Sequence, residues 1–279
     1  MVQRIRSGFV DFPWGQVHVR GLLRDTGKPP VLLLHQTPLS AITYERVLAP
    51  LAEKFRPIAV DTPGFGFSDS PGGPWQMADY AEILHSVCEQ LELNWPLVVG
   101  QHTGACLAIE LSLRYPGSVR GLVLVGVPCV SPEVARERLA AKRKYEISDD
   151  GFHLSFIWHR MQFEQYPGLL PKELATRHVV DHLLAGPDNY LYAYRAVYTY
   201  PIQDRLRDLD AARLPVFLLA GSNDCIKHLH DQTTEFLPSA RTRTLEGRSD
   251  FIMDEDPVAF VREVSMFFDE MCATVERMP

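Results

Sequence analysis

The stretch "VVGQHTGA" (98–105) decides the fold. Val98 and Val99 belong to "PLVVG" (96–100), an apolar run of strand length. The residues that follow, "TGACLAIELSLRYP" (103–116), carry small and apolar side chains at helical spacing. Gly100, Gly104 and Ala105 are small enough for a strand and the next helix to approach closely. At the centre of this junction stands His102.

Working outward, the same strand-then-helix pattern repeats. "GFVDFPWGQVHVRGLLRD" (8–25) predicts a hairpin, with Val17, Val19 and Gly21 alternating with His18 and Arg20 and "PWGQ" at the turn. "PPVLLLH", "RPIAVD" and "VRGLVLVG" are continuous apolar runs, the mark of strands covered on both faces. Between them "AITYERVLAPLAEKF" and "MADYAEILHSVCEQLEL" are amphipathic helices, and "TPGFGFSDSPGGP" is a glycine- and proline-rich loop. The alternation predicts an α/β fold: a mostly parallel sheet with right-handed crossovers and helices on both faces. It stops near residue 129. Residues 130–200 hold charged and aromatic helical segments and no clear strand. "LPVFLLAG" and "ARTRTLEG" resume the sheet, and "DPVAFVREVSMFFDEM" closes it with a helix, Asp254 or Asp256 near its start. The expected organisation is a core of residues 1–129 and 201–279 with a helical cap at 130–200.

Composition narrows the partners. With 279 residues, 46% apolar and 23% charged, the chain suits a soluble globular protein. A formal net charge of −7 without a basic run speaks against nucleic acid or an anionic membrane. No apolar run has transmembrane length, and "MVQRIRSGFVDF" lacks the features of a signal peptide. Five scattered cysteines (88, 106, 129, 225, 272) form no C-x-x-C pair, so neither a zinc ribbon nor a disulfide framework is expected. These features predict a cytoplasmic protein acting on a small-molecule substrate. A homodimer is compatible with them.

Four segments, in order, resemble the α/β-hydrolase-fold superfamily over almost the whole chain. "LLLHQTP" (32–38) is similar to its strand followed by His-Gly-x-Pro, and "DTPGFGFSD" (61–69) matches its D-x-P-G-x-G-x-S-D loop. "VVGQHTGA" stands where the superfamily has G-x-S-x-G, and "LLAGSNDCI" (218–226) matches the strand, glycine and acid segment. The resemblance implies an α/β-hydrolase fold with an inserted cap, and it makes the junction at His102 a nucleophile elbow. An elbow strains its central residue and stands its side chain over the strand ends.

The departures define the chemistry. His102 replaces the elbow serine. In "LEGRSDFIMDEDP" (245–257), Asp250 falls where the superfamily has its catalytic histidine. The two replacements match chemically, because carboxylate and imidazole form a dyad. Asp250 is thus expected to orient one nitrogen of His102 and favour its protonated form. Asp224, in "GSNDCI", keeps the position of the superfamily's acid and could join them. Two aspartates in one buried site would repel and lift one pKa. The resemblance places an oxyanion hole at the backbone N–H groups of Thr37 and Thr103. Gln36 stands where glycine is usual, so its side chain could reach a substrate, and His35 precedes it.

In the cap, Tyr190, Tyr194 and Tyr198 share a helix face, and Phe152, Phe156, Trp158, His159 and Phe163 add aromatic bulk. They form either cap core or the wall of a pocket for an apolar or aromatic carbonyl compound. One histidine with two carboxylates is a weak metal set, and His228 and His230, two apart, would point away from each other on a helix. No metal and no cofactor is expected.

Three functions remain open. One is a hydrolase of an ester, thioester, lactone or activated carbon–carbon bond, with His102 as base or nucleophile. Another is a cofactor-independent lyase, decarboxylase, cyclase or isomerase, with His102 moving a proton. The last is a non-catalytic ligand-binding protein.

Overall fold

The computed structural model describes residues 4–166 and 170–275, and side chains as far as residue 271, so that Cys272 lies outside the described side chains. Among these residues the chain forms an eight-stranded sheet. The strands are β1 (Arg6–Phe12), β2 (Gly15–Gly21), β3 (Pro30–Leu34), β4 (Arg56–Val60), β5 (Leu97–Gln101), β6 (Gly121–Val125), β7 (Val216–Gly221) and β8 (Arg241–Leu245). Their order is β1-β2-β4-β3-β5-β6-β7-β8. Only β2 runs against its neighbours β1 and β4; all other pairings are parallel.

The continuous apolar runs divide alternately between two cores, as the two-residue period of a strand requires. Leu32, Leu34, Val98, Leu122, Leu124 and Leu218 pack on one face, against α2 (Met77–Gln90), α3 (Thr103–Arg114) and α7 (Ile202–Ala211). Val31, Leu33, Val99, Val123 and Phe217 pack on the other, against α1 (Glu45–Leu51) and α10 (Pro257–Val275). The hairpin forms as expected, but His18 is buried because its Nδ1 pairs with Asp61 at 2.8 Å.

Between β6 and α7 the described chain is helical: α4 (Pro132–Ala141), α5 (Phe152–His159), a π turn (Arg160–Gln165) and α6 (Lys172–Thr199). A left-handed Gly186 followed by Pro187 breaks α6 within its length. Two buried polar contacts fasten α6 to the loops of the sheet. Ser40 Oγ donates to the Asp181 carboxylate at 3.1 Å, and Arg177 binds Asp254 through both nitrogens of its fork. Asp254 belongs to α9 (Ile252–Glu255), just ahead of α10. After β7 comes α8 (Lys227–Phe236), where His230 is buried and His228 exposed, so the two histidines do point apart. No described helix is long and apolar enough to cross a membrane.

Candidate active site

The site forms where three parallel strands end. β5 stops at Gln101, and α3 starts at Thr103, so the chain reverses within His102, whose backbone sits at φ +47°, ψ −107°. A non-glycine residue in that region is strained and persists only where its surroundings hold it. Here His102 N–H donates to Val125 O at 2.9 Å, and His102 O accepts from Ala105 N–H at 2.9 Å. Gly104 explains how α3 can begin so close to the sheet: a Cβ there would lie 2.1 Å from Leu34 O.

Asp224, just beyond β7, is the direct partner of His102, with Oδ2 3.1 Å from Nε2. Its Oδ1 accepts from Ile226 N–H at 2.8 Å, which fixes the carboxylate's orientation. The pair fits because residue 126 has no side chain; a Cβ on Gly126 would come within 2.5 Å of both His102 and Asp224. Burial works against charge on either group, but each stabilises the other. His102 is held above the ordinary imidazole range and Asp224 below the ordinary carboxylate range.

Asp250, beyond β8, is fully buried and makes no hydrogen bond to His102. Its Oδ2 is already occupied, accepting from Tyr166 Oη at 2.5 Å and from Gln36 Nε2 at 3.1 Å. Gln101 Nε2 donates to its backbone carbonyl. Oδ1 has no partner. Asp250 nevertheless lies close: a carboxylate oxygen, a ring nitrogen of His102 and Cys225 Sγ all fall within 4.8 Å of one another. One water can bridge such a gap. Burial first, and then the charge of Asp224, lift the Asp250 pKa to about 6, against the pull of His102, Tyr166 and Gln36. The expectation that Asp250 orients the imidazole therefore meets a different arrangement. Asp224 holds the ring, and Asp250 is a second titratable group beside it.

The cavity over these strand ends has a volume of about 200 Å³. His102, Thr37, Thr103 and Gln36 line its floor, and Tyr166, Tyr194, Tyr198 and Arg160 come from the helical segment between β6 and α7. The N–H groups of Thr37 and Thr103 donate to no described protein acceptor. His35 is not part of the lining. Its Nδ1 donates to Gln36 O and its Nε2 accepts from Thr62 N–H, both at 2.9 Å, so it braces the loop that carries Gln36 and Thr37. The cap aromatics separate. Tyr194 and Tyr198 line the cavity, whereas Phe152, Phe156 and Phe163 are 63%, 42% and 62% exposed and do not. Of α5, only Ile157 is buried, so its phenylalanines face outward.

The residues that could hold a metal are His102, Cys225 and Asp250. Tyr166 Oη contacts Cys225 Sγ at 3.4 Å as well as Asp250, and burial pushes the Cys225 thiol up. Each of the three offers one ligand atom, and the Asp250 Oδ2 is already bonded twice. Sequence reasoning missed Tyr166 and Cys225. Cys225 follows Asp224 directly, and that adjacency was available as a signal; Tyr166 has no local pattern that marks it.

The chain belongs to the alpha/beta hydrolase fold family, whose model matches residues 29–257. It is 31% identical over 119 residues to haloalkane dehalogenase 2 of Mycobacterium tuberculosis, covering 42% of this chain and 41% of the dehalogenase. It is 28% identical over 120 residues to the 2-(acetamidomethylene)succinate hydrolase of Mesorhizobium japonicum, covering 43% and 42% of the two chains. Each of these alignments therefore spans less than half of the relative. Among solved structures, the enol-lactonase of Burkholderia xenovorans superposes with a TM-score of 0.74 at 18% identity, over 94% of this chain and 100% of that one, which is a likeness of fold.

Proposed function

We propose that the protein is a hydrolase of a small carbonyl compound, an ester, thioester or lactone, with His102 as general base. One observation carries the reading: an imidazole on a strained elbow, bonded to a buried carboxylate at 3.1 Å, lines a cavity beside two backbone N–H groups that lack protein acceptors. With Nε2–H donated to Asp224, the lone pair of the neutral ring is on Nδ1. Nδ1 takes a proton from water as the water oxygen bonds to the carbonyl carbon. The carbonyl π pair moves to oxygen, which Thr37 and Thr103 N–H stabilise, while Asp224 stabilises the imidazolium. Collapse breaks the bond to the leaving group, and the imidazolium returns the proton to it. The reaction needs no cofactor. The dehalogenase and hydrolase among the relatives support hydrolysis as the reaction class.

A second reading is favoured by Asp250. A carboxyl titrating near 6, bonded to Tyr166 and close to His102, forms with that base an acid–base pair able to move a proton within the substrate. Lyase or isomerase chemistry would use the same residues without consuming water.

The test is turnover of short-chain esters and lactones in ¹⁸O water by the native protein and by His102→Ala. Label in the acid product, with turnover lost in the variant, is the expected result. Turnover that survives His102→Ala removes the imidazole from the mechanism. A product without label moves the protein to the proton-transfer class. Ligand binding with no product from either protein leaves a binding module.

A further inference from the structure

Three cations, Arg138 and Lys142 from the α4 segment and Arg160 from the π turn, line the same cavity as His102. Among the described residues no carboxylate lies within ion-pair distance of any of them. Elsewhere, partly buried Arg177 and Arg248 bind Asp254 and Asp256, and the buried Arg56 donates to four backbone carbonyls. Tyrosines take the place of acids here. Lys142 Nζ and Arg160 Nη1 both donate to the one hydroxyl of Tyr190, at 3.2 and 2.9 Å. Lys142 Nζ also sits 3.5 Å from the ring centre of Tyr194. A shared hydroxyl draws two positive groups together without neutralising either.

Holding Lys142 charged at this place costs free energy. Burial and the neighbouring Arg160 and Arg138 depress the pKa of Lys142, against the hold of Tyr190. His178 lines the same cavity, is 5% exposed, and its Nδ1 has no partner among the described residues. In a chain of net charge −7, three uncompensated cations and an unpartnered imidazole around one small cavity amount to a site short of a negative charge. An anion would satisfy all of them.

We infer that the substrate carries a carboxylate, bound by Arg138, Lys142 and Arg160 on the cap wall while its reacting carbonyl lies at His102. The planar forks of the two arginines suit a carboxylate. A cavity of about 200 Å³ keeps the two functional groups within one small molecule. The tyrosine rings, which hold the cations in place, also wall the apolar stretch between them. This assignment rests on the proposed hydrolysis for its carbonyl end, and on the cation cluster alone for its acid end.

The experiment compares kcat/KM for monomethyl glutarate and for methyl valerate, which differ in the terminal carboxylate. Calorimetric binding of glutarate is measured alongside, with the native protein, Arg160→Gln, Lys142→Gln and Arg138→Gln, each checked for a native thermal transition. The native protein should prefer the acid ester by about tenfold or more, and each variant should lower that ratio about tenfold, the effect of one charge-assisted hydrogen bond. Glutarate binding should weaken in parallel. His102→Ala should still bind glutarate. If no ester is turned over yet glutarate binds, and the Arg160 variant loses it, the hydrolase reading falls and the anion site stands. Equal turnover of both esters, or glutarate binding that is absent or indifferent to all three substitutions, overturns the anion site.

Discussion

As the proposed base, His102 stands under the influence of two aspartates of opposite character. Asp224 is charged and in contact; Asp250 is lifted to about 6 and stands off. A general base acts only when unprotonated. Because the His102 pKa is raised, the rate should climb with pH through a midpoint above the ordinary imidazole value of about 6.5. Asp224→Asn removes the charge that holds the proton and should move that limb to lower pH, with kcat also falling. His102→Ala should cost on the order of 10²- to 10⁴-fold in kcat/KM. At Asp250 the sign for stability follows from its direction of shift. A carboxyl raised above its unfolded value of about 3.8 stabilises the fold when protonated, and that contribution is lost as pH rises through about 6. Relative to Asp250→Asn, the native protein should therefore lose stability between pH 4 and pH 7, as read from urea midpoints. A constant difference across that range would mean that Asp250 is not shifted. At this scale legibility divided by origin. His102, Asp224 and Asp250 follow strands, where motif and periodicity agree, so they could be named from the sequence. Tyr166, Arg160 and Lys142 reach the cavity from helices whose placement no local pattern determines.

Elements place these groups through close backbone approach and a few cross-links. α3 can start against β3 only because Gly104 lacks a Cβ, which would otherwise lie 2.1 Å from Leu34 O. The obstacle is backbone and cannot rotate away. Gly104→Ala should thus lower stability by about 1–3 kcal/mol in urea unfolding, with activity falling as the elbow shifts. The helical segment between β6 and α7 is joined differently. Arg177 to Asp254 and Ser40 to Asp181 connect α6 with α9 and the loop after β3, and both acids are buried. Arg177→Ala leaves Asp254 without its partner. It should lower the thermal midpoint and raise KM more than it lowers kcat, because it loosens the wall carrying Tyr194 rather than the elbow. Equal losses in kcat and kcat/KM would place Arg177 closer to the chemistry. Strands and core helices were legible because their runs are continuous and bounded by glycine and proline. Residues 130–200 were readable as helical but not in orientation. The aromatic residues, spread around α5 and α6, do not say which side faces the cavity, and the outward turn of Phe152, Phe156 and Phe163 is settled by packing.

The molecule as a whole buries imidazoles and carboxyls whose pKa values are shifted in opposite directions, and their balance fixes its response to acid. His178 and His182 are pulled down to about 3, and His230 to about 4, chiefly by burial, and His35 is lowered for the same reason. In the unfolded chain these imidazoles take up protons near pH 6.5, so the stability of keeping them neutral is complete above that value and lost as pH falls below it. Asp181, lifted to about 7, and Asp250, lifted to about 6, both by burial, act in the opposite sense, holding protons in the folded state that the unfolded chain releases. His102 is protonated in both states at pH 5 and drops out. Near pH 5, His178, His182 and His230 against the two carboxyls leave the unfolded chain with about one more proton, a loss on the order of 1 kcal/mol per pH unit, and His35 acts in the same direction. Urea midpoints should therefore fall from pH 6 to pH 5. His178→Gln, at one of the two most depressed sites, should flatten that fall by roughly one proton's worth. A native midpoint that stays level across this range would mean that the buried imidazoles take up protons in the folded state, and with them the cap wall around the cavity would be more open to water than its packing indicates.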